Sequence, residues 1–175
     1  MEEIVAKIYD SPCGALLLGS SGDCLCLCDW IDGKAHPAVM KRLARQANVG
    51  FTDGTSPAIE LAEKELDQYF AGERRVFDVP LKLYGTEFQQ RVWNALSCVI
   101  YGTTVSYGEL SSVLGKPGAV RAVANAVGQN PVSIIVPCHR IIGSDGKLTG
   151  YSGGLAAKRY LLDLETSDSL FSTIS

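Results

Sequence analysis

The sequence predicts an α+β protein in which a small N-terminal α/β domain with an antiparallel sheet precedes a mainly helical C-terminal domain carrying a helix-turn-helix. Short β-forming segments alternate with Gly and Ser turns over the first 30 residues, and apolar residues recur at helical spacing after residue 84. With 46% hydrophobic residues, the 175-residue chain can bury one good core or two small ones. We therefore expect domains at 1–82 and 83–166, followed by a tail at 167–175 whose polarity indicates a loose end.

Three short segments at the start of the chain predict an antiparallel meander: "IVAKIY", "ALLLGSS" and "CLCLCDW". Two segments with helical spacing follow them, "HPAVMKRLARQA" and "SPAIELAEKELDQYFAG". The second begins with Ser56 and Pro57 and ends at Gly72, which are typical helix start and stop residues. The segment "RRVFDVPL" then predicts a last strand and a linker.

Three further helices are predicted after residue 84. Thr86 with Gln89 forms a capping box before the first, and Ser106 with Glu109 repeats this pattern before the second. The third covers about 119–127, directly after the turn "GKPG". Two short helices joined in this way are a helix-turn-helix candidate, in which the second helix meets DNA. Such pairs also occur as plain packing units, so the motif alone does not establish DNA binding.

The net charge of −3 averages two unlike halves of the chain. Residues 1–81 hold 8 Lys and Arg against 13 Asp and Glu, whereas residues 82–165 hold 8 against 5. Only the second half therefore suits a polyanion. Because its positive excess is small, phosphate binding would depend on a few placed groups and helix N-termini.

No apolar stretch approaches the roughly 20 residues that a membrane-spanning helix needs. The opening "MEEIVAKIYD" carries acidic residues where a secretory signal has a basic start. We therefore expect a cytoplasmic protein without membrane association. The six cysteines are then expected to be reduced thiols rather than a disulfide framework.

The segment "IIVPCHRIIG" places Cys138 next to His139 within an apolar run. A thiol that is merely buried is inert, but His139, oriented by the Glu165 carboxylate, could take its proton directly or through a water. Adjacent residues of a strand point in opposite directions, so cooperation requires a turn, which Pro137 and Gly143 favour. The alternative is a packed thiol beside a surface histidine.

Five segments together resemble the methylated-DNA–protein-cysteine methyltransferases, also called O6-alkylguanine-DNA alkyltransferases. They are "GTEFQQRVWNAL", "YGTTVSYGEL", "RAVANAVGQNP", "IIVPCHRIIGSDGKLTGYSGG" and "KRYLLDLE". The resemblance covers 85–165 nearly without gaps, and "PCHR" followed by "GYSGG" is its most specific part. It implies a ribonuclease H-like first domain and a monomer that repairs double-stranded DNA containing O6-alkylguanine, and also O4-alkylthymine. The base would be flipped out of the duplex and its alkyl group moved irreversibly to the protein, once per molecule.

The resemblance also implies the catalytic residues. Cys138 is the nucleophile and alkyl acceptor, His139 acts through a water as its base, and Glu165 holds His139. Tyr107 would donate a proton or hydrogen bond to the leaving base, which is a poor leaving group unless protonated. Asn130 would brace the bend before the cysteine loop.

The residues expected to bind DNA or the flipped base are Arg121, Ala122, Val127, Ile141, Tyr151 and Ser152. Arg121 would enter the base stack, where it offsets part of the few kcal/mol that extrusion costs. Tyr151 and the backbone amide of Ser152 would line the pocket near the guanine oxygen. The carbonyls of Cys138 and Ile141 would read the exocyclic amine.

Several of these residues also have purely structural interpretations. Tyr107 could pack between helices, and Arg121 could be a solvated first-turn residue, although a cation there is slightly unfavourable on dipole grounds. Arg140 could form a structural ion pair. Lys158 and Arg159 are predicted on a solvated helix face, with Lys158 as a group that could lower the thiol pKa.

The segment "CLCLC" raises the question of a metal. Cys24, Cys26 and Cys28 would share one face of a strand at steps of about 6.6–6.8 Å, too far apart to bind one zinc together. His36 is the histidine nearest to them in the sequence. Some members of the family carry a zinc in the first domain, but small buried thiols are favoured, and we expect neither a metal nor a cofactor.

Two other functional classes remain open from the sequence. A non-catalytic reader of alkylated DNA would use the same fold, but readers of that kind replace the acceptor cysteine, and Cys138 is present. A Cys-His-Glu hydrolase would act on amides or esters and turn over repeatedly.

Overall fold

The computed structural model describes residues 3–174, with side chains described as far as residue 167. Six helices, six strands and one turn of 3₁₀ helix are found in this part of the chain. In order they are β1 Ile4–Ser11, β2 Gly14–Ser21, β3 Cys24–Trp30, α1 His36–Ala47, β4 Phe51–Asp53, α2 Pro57–Phe70, α3 Glu87–Leu96, β5 Val105–Ser106, α4 Tyr107–Val113, α5 Val120–Gly128, the 3₁₀ turn Cys138–Arg140, β6 Ile141–Ile142 and α6 Leu155–Ile174.

The main sheet has the strand order β3-β2-β1-β4. Strands β1, β2 and β3 pair antiparallel, which confirms the predicted meander. Strand β4 pairs parallel with β1 and was not predicted, because its three residues lie between two helices and show no alternation. Helix α1 packs on one face of the sheet with Val39 and Leu43, and α2 packs on the other with Ile59 and Leu66.

The strand predicted for "RRVFDVPL" is wrong. This segment makes one isolated bridge, between Leu81 and Leu25 of β3. The buried Glu65 carboxylate accepts the backbone N–H groups of Asp78 (3.0 Å) and Val79 (2.8 Å), so these amides cannot join a strand ladder.

A bulge in β3 changes the environment of its cysteines. The pairing of β2 with β3 shifts register, so that Gly19 opposes Leu27 while Ser20 opposes Leu25. As a result, Cys26 packs in the smaller core under α1, whereas Cys28 packs in the main core, and the expectation of a shared face is wrong. In the part of the chain that the structure describes, no group of three or more His, Cys, Asp or Glu side chains is placed to bind a metal ion.

The helix starts agree with the predicted capping. The Ser56 hydroxyl accepts the N–H of Ile59, and Thr86 and Gln89 form both bonds of the capping box. Ser106 accepts the N–H of Glu109. Helix α6 continues to Ile174, so the backbone is helical where the loose polar tail was predicted, and Ser175 lies outside the described residues.

One continuous hydrophobic core connects the two halves of the chain. It extends from Tyr9 in β1 to Leu161 in α6. Its residues include Trp30 from the first half and Trp93 from the second, and Cys28 of β3 bridges to Val132. No helix among the described residues is long and apolar enough to cross a membrane.

Candidate active site

A cavity of about 590 Å³ opens in front of Cys138. Cys138 is 7% exposed and contributes to the cavity lining, so position 138 borders the cavity. The other residues that line it come from the two helices α4 and α5 of the predicted helix-turn-helix, from the loop before α6 with its first residue, and from the loop before α1: Tyr107, Ala124, Val127, Gly128, Gly150–Leu155, Asp32, Lys34 and Ala35.

The backbone turns sharply at the cysteine. Residues Cys138–Arg140 form a 3₁₀ turn, which meets the requirement that Cys138 and His139 not lie on one extended strand. Asn130 spans the loop before this turn, because its Oδ1 accepts the Val132 N–H (3.0 Å) and its Nδ2 donates to the Val136 carbonyl (2.9 Å). Between them, Ile134 has φ 70°, a strained conformation for a β-branched residue.

A buried pair lies behind the cysteine. His139 Nε2 is 2.6 Å from Glu165 Oε2, and both side chains are buried. Burial alone would raise the pKa of Glu165, but the hydrogen bonds and charges of His139 and Arg140 outweigh it and hold the pKa at about 2. Because the carboxylate is ionised and can only accept, the proton of the neutral ring is on Nε2. Nδ1, which is buried and has no hydrogen-bond partner among the described residues, is then the basic nitrogen.

His139 is electrostatically suited to accept a proton. Burial lowers its pKa below the ordinary histidine value, with Arg140 and Lys158 acting in the same direction and Glu165 opposing them. The ring is therefore neutral near pH 7. Arg140, which the sequence left as a candidate for an ion pair, donates to both Glu165 oxygens at 2.8 and 3.0 Å.

Cys138 is a neutral thiol in the resting site. Burial raises its pKa above the ordinary thiol value, although a hydrogen bond from Asn130 and the charge of Lys158 both act to lower it. The predicted solvated position of Lys158 is wrong, because its side chain is fully buried and its Nζ donates to the Ile141 carbonyl (2.5 Å). The buried ammonium is thus a fixed positive charge that favours the thiolate once the proton leaves.

The predicted proton donor Tyr107 and the side chains predicted to bind DNA or the flipped base divide into two groups. Tyr107, Val127, Tyr151 and Ser152 line the cavity with Cys138. Burial raises the pKa of Tyr107, while its hydrogen bond with Thr149 lowers it. Arg121 and Ala122 are exposed on the first turn of α5 and do not line the cavity.

The two carbonyls that the sequence assigns to base reading already have partners. The Cys138 carbonyl accepts the Ile141 N–H, and the Ile141 carbonyl accepts the Lys158 ammonium. Each carbonyl oxygen keeps a second lone pair. Ile141 itself is fully buried, so a base could reach only its backbone.

Comparisons with known proteins identify the family of the chain. A family model described as "6-O-methylguanine DNA methyltransferase, DNA binding domain" matches residues 87–167. A second, described as "6-O-methylguanine DNA methyltransferase, ribonuclease-like domain", matches residues 4–83. The methylated-DNA–protein-cysteine methyltransferase of Mycobacterium tuberculosis is 48% identical over 161 residues, which cover 92% of each chain.

The chain belongs to the O6-methylguanine DNA methyltransferase family.

Two further relatives support this membership. The methylated-DNA–protein-cysteine methyltransferase of Mycobacterium leprae is 46% identical over 162 residues, covering 93% of this chain and 92% of that one. A crystal structure of Mycobacterium tuberculosis OGT in complex with DNA superposes with a TM-score of 0.80 at 44% identity and covers 94% of both chains. The predicted fold class is confirmed, since the methyltransferase family pairs a ribonuclease-like domain with a DNA-binding domain.

The first half of this methyltransferase contributes to the site in ways the sequence did not reveal. Trp30 at the end of β3 donates from Nε1 to the Tyr151 hydroxyl (3.2 Å), and Asp32 and Lys34 line the cavity. The loop before α6 lies very close to the end of β3, since a Cβ on Gly153 would lie 2.6 Å from the Trp30 ring. A Cβ on Gly33 would lie 2.5 Å from the Ser152 carbonyl oxygen. Nothing in the local sequence of 30–34 indicates this contact.

Lys158 could have been recognised from the sequence. It lies seven residues before Glu165 on α6, so both side chains occupy the same helix face as the buried Leu161. A helix face that contains a predicted catalytic residue and a buried leucine is not a solvated face.

Proposed function

We propose that this protein repairs DNA by transferring the alkyl group of O6-alkylguanine to Sγ of Cys138. Membership of the methyltransferase family supports the activity. One structural observation carries the assignment to this site: Cys138 lies at a cavity backed by a buried His139–Glu165 pair that leaves His139 Nδ1 as the free base.

The proton of the Cys138 thiol passes to His139 Nδ1 through a water. The imidazolium that forms is stabilised by the Glu165 carboxylate at 2.6 Å. The thiolate then attacks the alkyl carbon, an S–C bond forms, and the bond between that carbon and the guanine O6 breaks. The departing guanine receives a proton from the Tyr107 hydroxyl, which His139 or solvent replaces, so protons balance and guanine leaves as a neutral base.

The product at Cys138 is a thioether. Neither His139 nor Lys158 can break this bond, because a thioether lacks a leaving group that either could activate. Each molecule therefore acts once. The reaction uses no cofactor or metal, and the acceptor thiol must remain reduced, which supports our proposal that the protein works in the cytoplasm.

The target base must leave the helix stack to reach this cavity. We assign the opening of the duplex to Arg121, whose exposed side chain on the first turn of α5 is available to fill the gap and satisfy the bases left behind. Ala122 beside it is small enough to allow close approach. The protein would do this as a monomer, with 83–166 as its DNA-binding and transfer domain and 1–82 as the supporting domain.

The test compares wild-type protein with Cys138→Ala on a duplex that contains one O6-methylguanine. We expect mass spectrometry to find a stable addition of one methyl group on the wild-type peptide that contains Cys138, at most one per molecule. The Cys138→Ala variant should bind the methylated duplex with unchanged affinity and gain no methyl group. Cys98→Ala is the matched control, because Cys98 is an exposed thiol away from the cavity.

Each alternative outcome contradicts the proposal in a recognisable way. Binding of the methylated duplex by the wild-type protein without methyl addition would indicate a reader. A transient acyl adduct with repeated turnover of an ester would indicate a hydrolase. Methylation of the Cys138→Ala variant would show that another cysteine is the acceptor.

A further inference from the structure

A tyrosine of the first half contacts the carboxylate of the site. The hydroxyl of Tyr69, on α2, donates to Glu165 Oε2 at 2.6 Å. This is the same oxygen that accepts from His139 Nε2 at the same distance. Tyr69 is fully buried, and its partner lies 96 residues further along the chain.

The Tyr69 ring is fixed by aromatic neighbours. Phe70 and Tyr101 meet it edge-on, at centroid distances of 5.3 and 6.2 Å, and Phe77 lies tilted at 5.6 Å. These contacts hold the hydroxyl over Glu165 independently of the hydrogen bond. The tyrosine therefore acts as a rigid donor and does not merely follow the carboxylate.

The donors around Glu165 differ in charge. Arg140 donates from Nε to Oε1 and from Nη2 to Oε2, and the Gly102 N–H lies 3.4 Å from Oε1. Among the donors described for this carboxylate, Tyr69 differs in that its donor is a neutral hydroxyl, which bonds to Oε2. Tyr69 is therefore a third donor to Oε2, beside His139 and Arg140, and it removes further electron density from the oxygen that His139 uses.

We propose that Tyr69 is a positioning residue of this site: its hydroxyl holds Glu165 Oε2 opposite His139 Nε2 and takes up part of the carboxylate charge. The proton on Nε2 therefore stays on the ring, and Nδ1 remains the base for Cys138. This inference rests on the proposed function for its catalytic meaning, but its structural content concerns the His139–Glu165 pair alone.

The charged groups that face His139 fix the direction of the effect. They are Glu165 and Lys158 on α6 and Arg140 on the 3₁₀ turn, with the Cys138 thiol beside them. Removing the Tyr69 hydroxyl leaves more negative charge on Glu165, and the other groups do not change. The imidazolium is then better stabilised, so His139 should bind its proton more tightly.

The experiment compares Tyr69→Phe with Tyr9→Phe. Tyr9 is a matched control, since its hydroxyl also donates to a carboxylate of α2, Asp67, at 2.6 Å, away from the site. NMR titration of the labelled imidazoles, with the His139 signal assigned, reports on the His139 pKa. Tyr69→Phe should raise this pKa by about 0.5–1 unit, which means that the proton is bound three- to tenfold more tightly. Tyr9→Phe should leave the His139 pKa unchanged.

A kinetic measurement separates positioning from packing. With the methylated duplex in single-turnover reactions, Tyr69→Phe should lower the saturating transfer rate about fivefold to tenfold, because Glu165 and the His139 ring are no longer held in position. It should leave the half-saturating protein concentration unchanged. If Tyr69→Phe folds poorly, 3-fluorotyrosine placed at position 69 provides the opposite change, a stronger donor. It should lower the His139 pKa.

The outcomes distinguish this inference from the function on which it rests. If wild-type protein methylates Cys138 but His139 titrates identically in wild type and both Tyr69 variants, Tyr69 only packs and the inference is wrong. If His139 shifts as expected but no protein methylates Cys138, the proposed function fails while the coupling of Tyr69 to His139 stands.

Discussion

Glu165 shows how one buried carboxylate can be stabilised without solvent. Its two oxygens accept from Arg140, His139 and Tyr69, and Arg140 is held in turn by the Val99 carbonyl at 2.7 Å. Removing one partner from such a group costs about 3–5 kcal/mol, because the remaining charges stay buried. Loss of any one of these partners is therefore expected to destabilise the fold as well as the site.

We expect Glu165→Gln to lower the free energy of unfolding by about 3 kcal/mol at pH 7, from the difference between the ordinary pKa of 4.5 and the folded value of about 2. A carboxylate with a depressed pKa stabilises the fold above its unfolded pKa. That contribution decreases as the pH falls from 4.5 towards 2. Urea unfolding of wild type and Glu165→Gln at several pH values should show the difference in their unfolding free energies decreasing over this range.

The matched control for this titration is Asp163→Asn, which removes a carboxylate from the same helix. Asp163 is exposed, so its charge is solvated in the folded and the unfolded chain alike. The variant should therefore have the stability of wild type at pH 7. A stability gap for Glu165→Gln that stays constant down to pH 2 would contradict the ionised state assigned to Glu165.

The sequence predicted a site at Cys138, His139 and Glu165 from the specific "PCHR" segment and the helix that follows it. It could not identify Tyr69, because a tyrosine on the apolar face of a helix has the pattern of an ordinary core residue. Its hydrogen bond to Glu165 exists only once α2 and α6 are packed together. Long-range contacts of this kind have no local signal.

Among the helices, α1 and α5 are joined by Arg42. Its guanidinium donates to the side-chain oxygen of Gln129 (2.6 Å) and to the Gln129 carbonyl (2.5 Å), just after α5 ends. It also lies 5.6 Å from the centroid of the Trp93 ring, whose Nε1 donates to the Ala126 carbonyl. A cation at this end of α5 is favourable for the helix dipole.

Arg42→Met should therefore lower the free energy of unfolding by about 2 kcal/mol, through the loss of charged hydrogen bonds. Methionine keeps most of the apolar stem, so packing is retained. Hydrogen exchange followed by mass spectrometry should show faster exchange in α5 and little change in α2. Arg45→Met, on the exposed face of α1, is the control and should leave α5 unchanged. Equal exchange of α5 in both variants would exclude this role for Arg42.

Helices that begin with a capping residue were predicted well, whereas elements that depend on tertiary contacts were not. The capping residues Ser56, Thr86 and Ser106 marked helix starts because their hydroxyls bond to amides three residues later. The three-residue strand β4 exists because β1 offers it a partner. The predicted strand at 74–81 is absent because backbone N–H groups of this segment donate to the Glu65 carboxylate and not to a neighbouring strand.

At the scale of the whole molecule, the continuous core indicates that both halves unfold together. The main cluster contains Trp30 and Trp93, one from each half, and the chain has two tryptophans. Trp30→Phe leaves Trp93 as a fluorescence probe of the second half, and Trp93→Phe leaves Trp30 as a fluorescence probe of the first. In each variant, urea curves from fluorescence and from far-UV circular dichroism should coincide. Separate transitions in either variant would show two independent cores.

The close approach at Gly33 and Gly153 limits how the cavity can be redesigned. Any side chain at these positions would collide with the Ser152 carbonyl or the Trp30 ring. A directed-evolution library that seeks acceptance of bulkier adducts should therefore keep both glycines fixed. Its diversity belongs at Ala124 and Lys34, which line the same cavity.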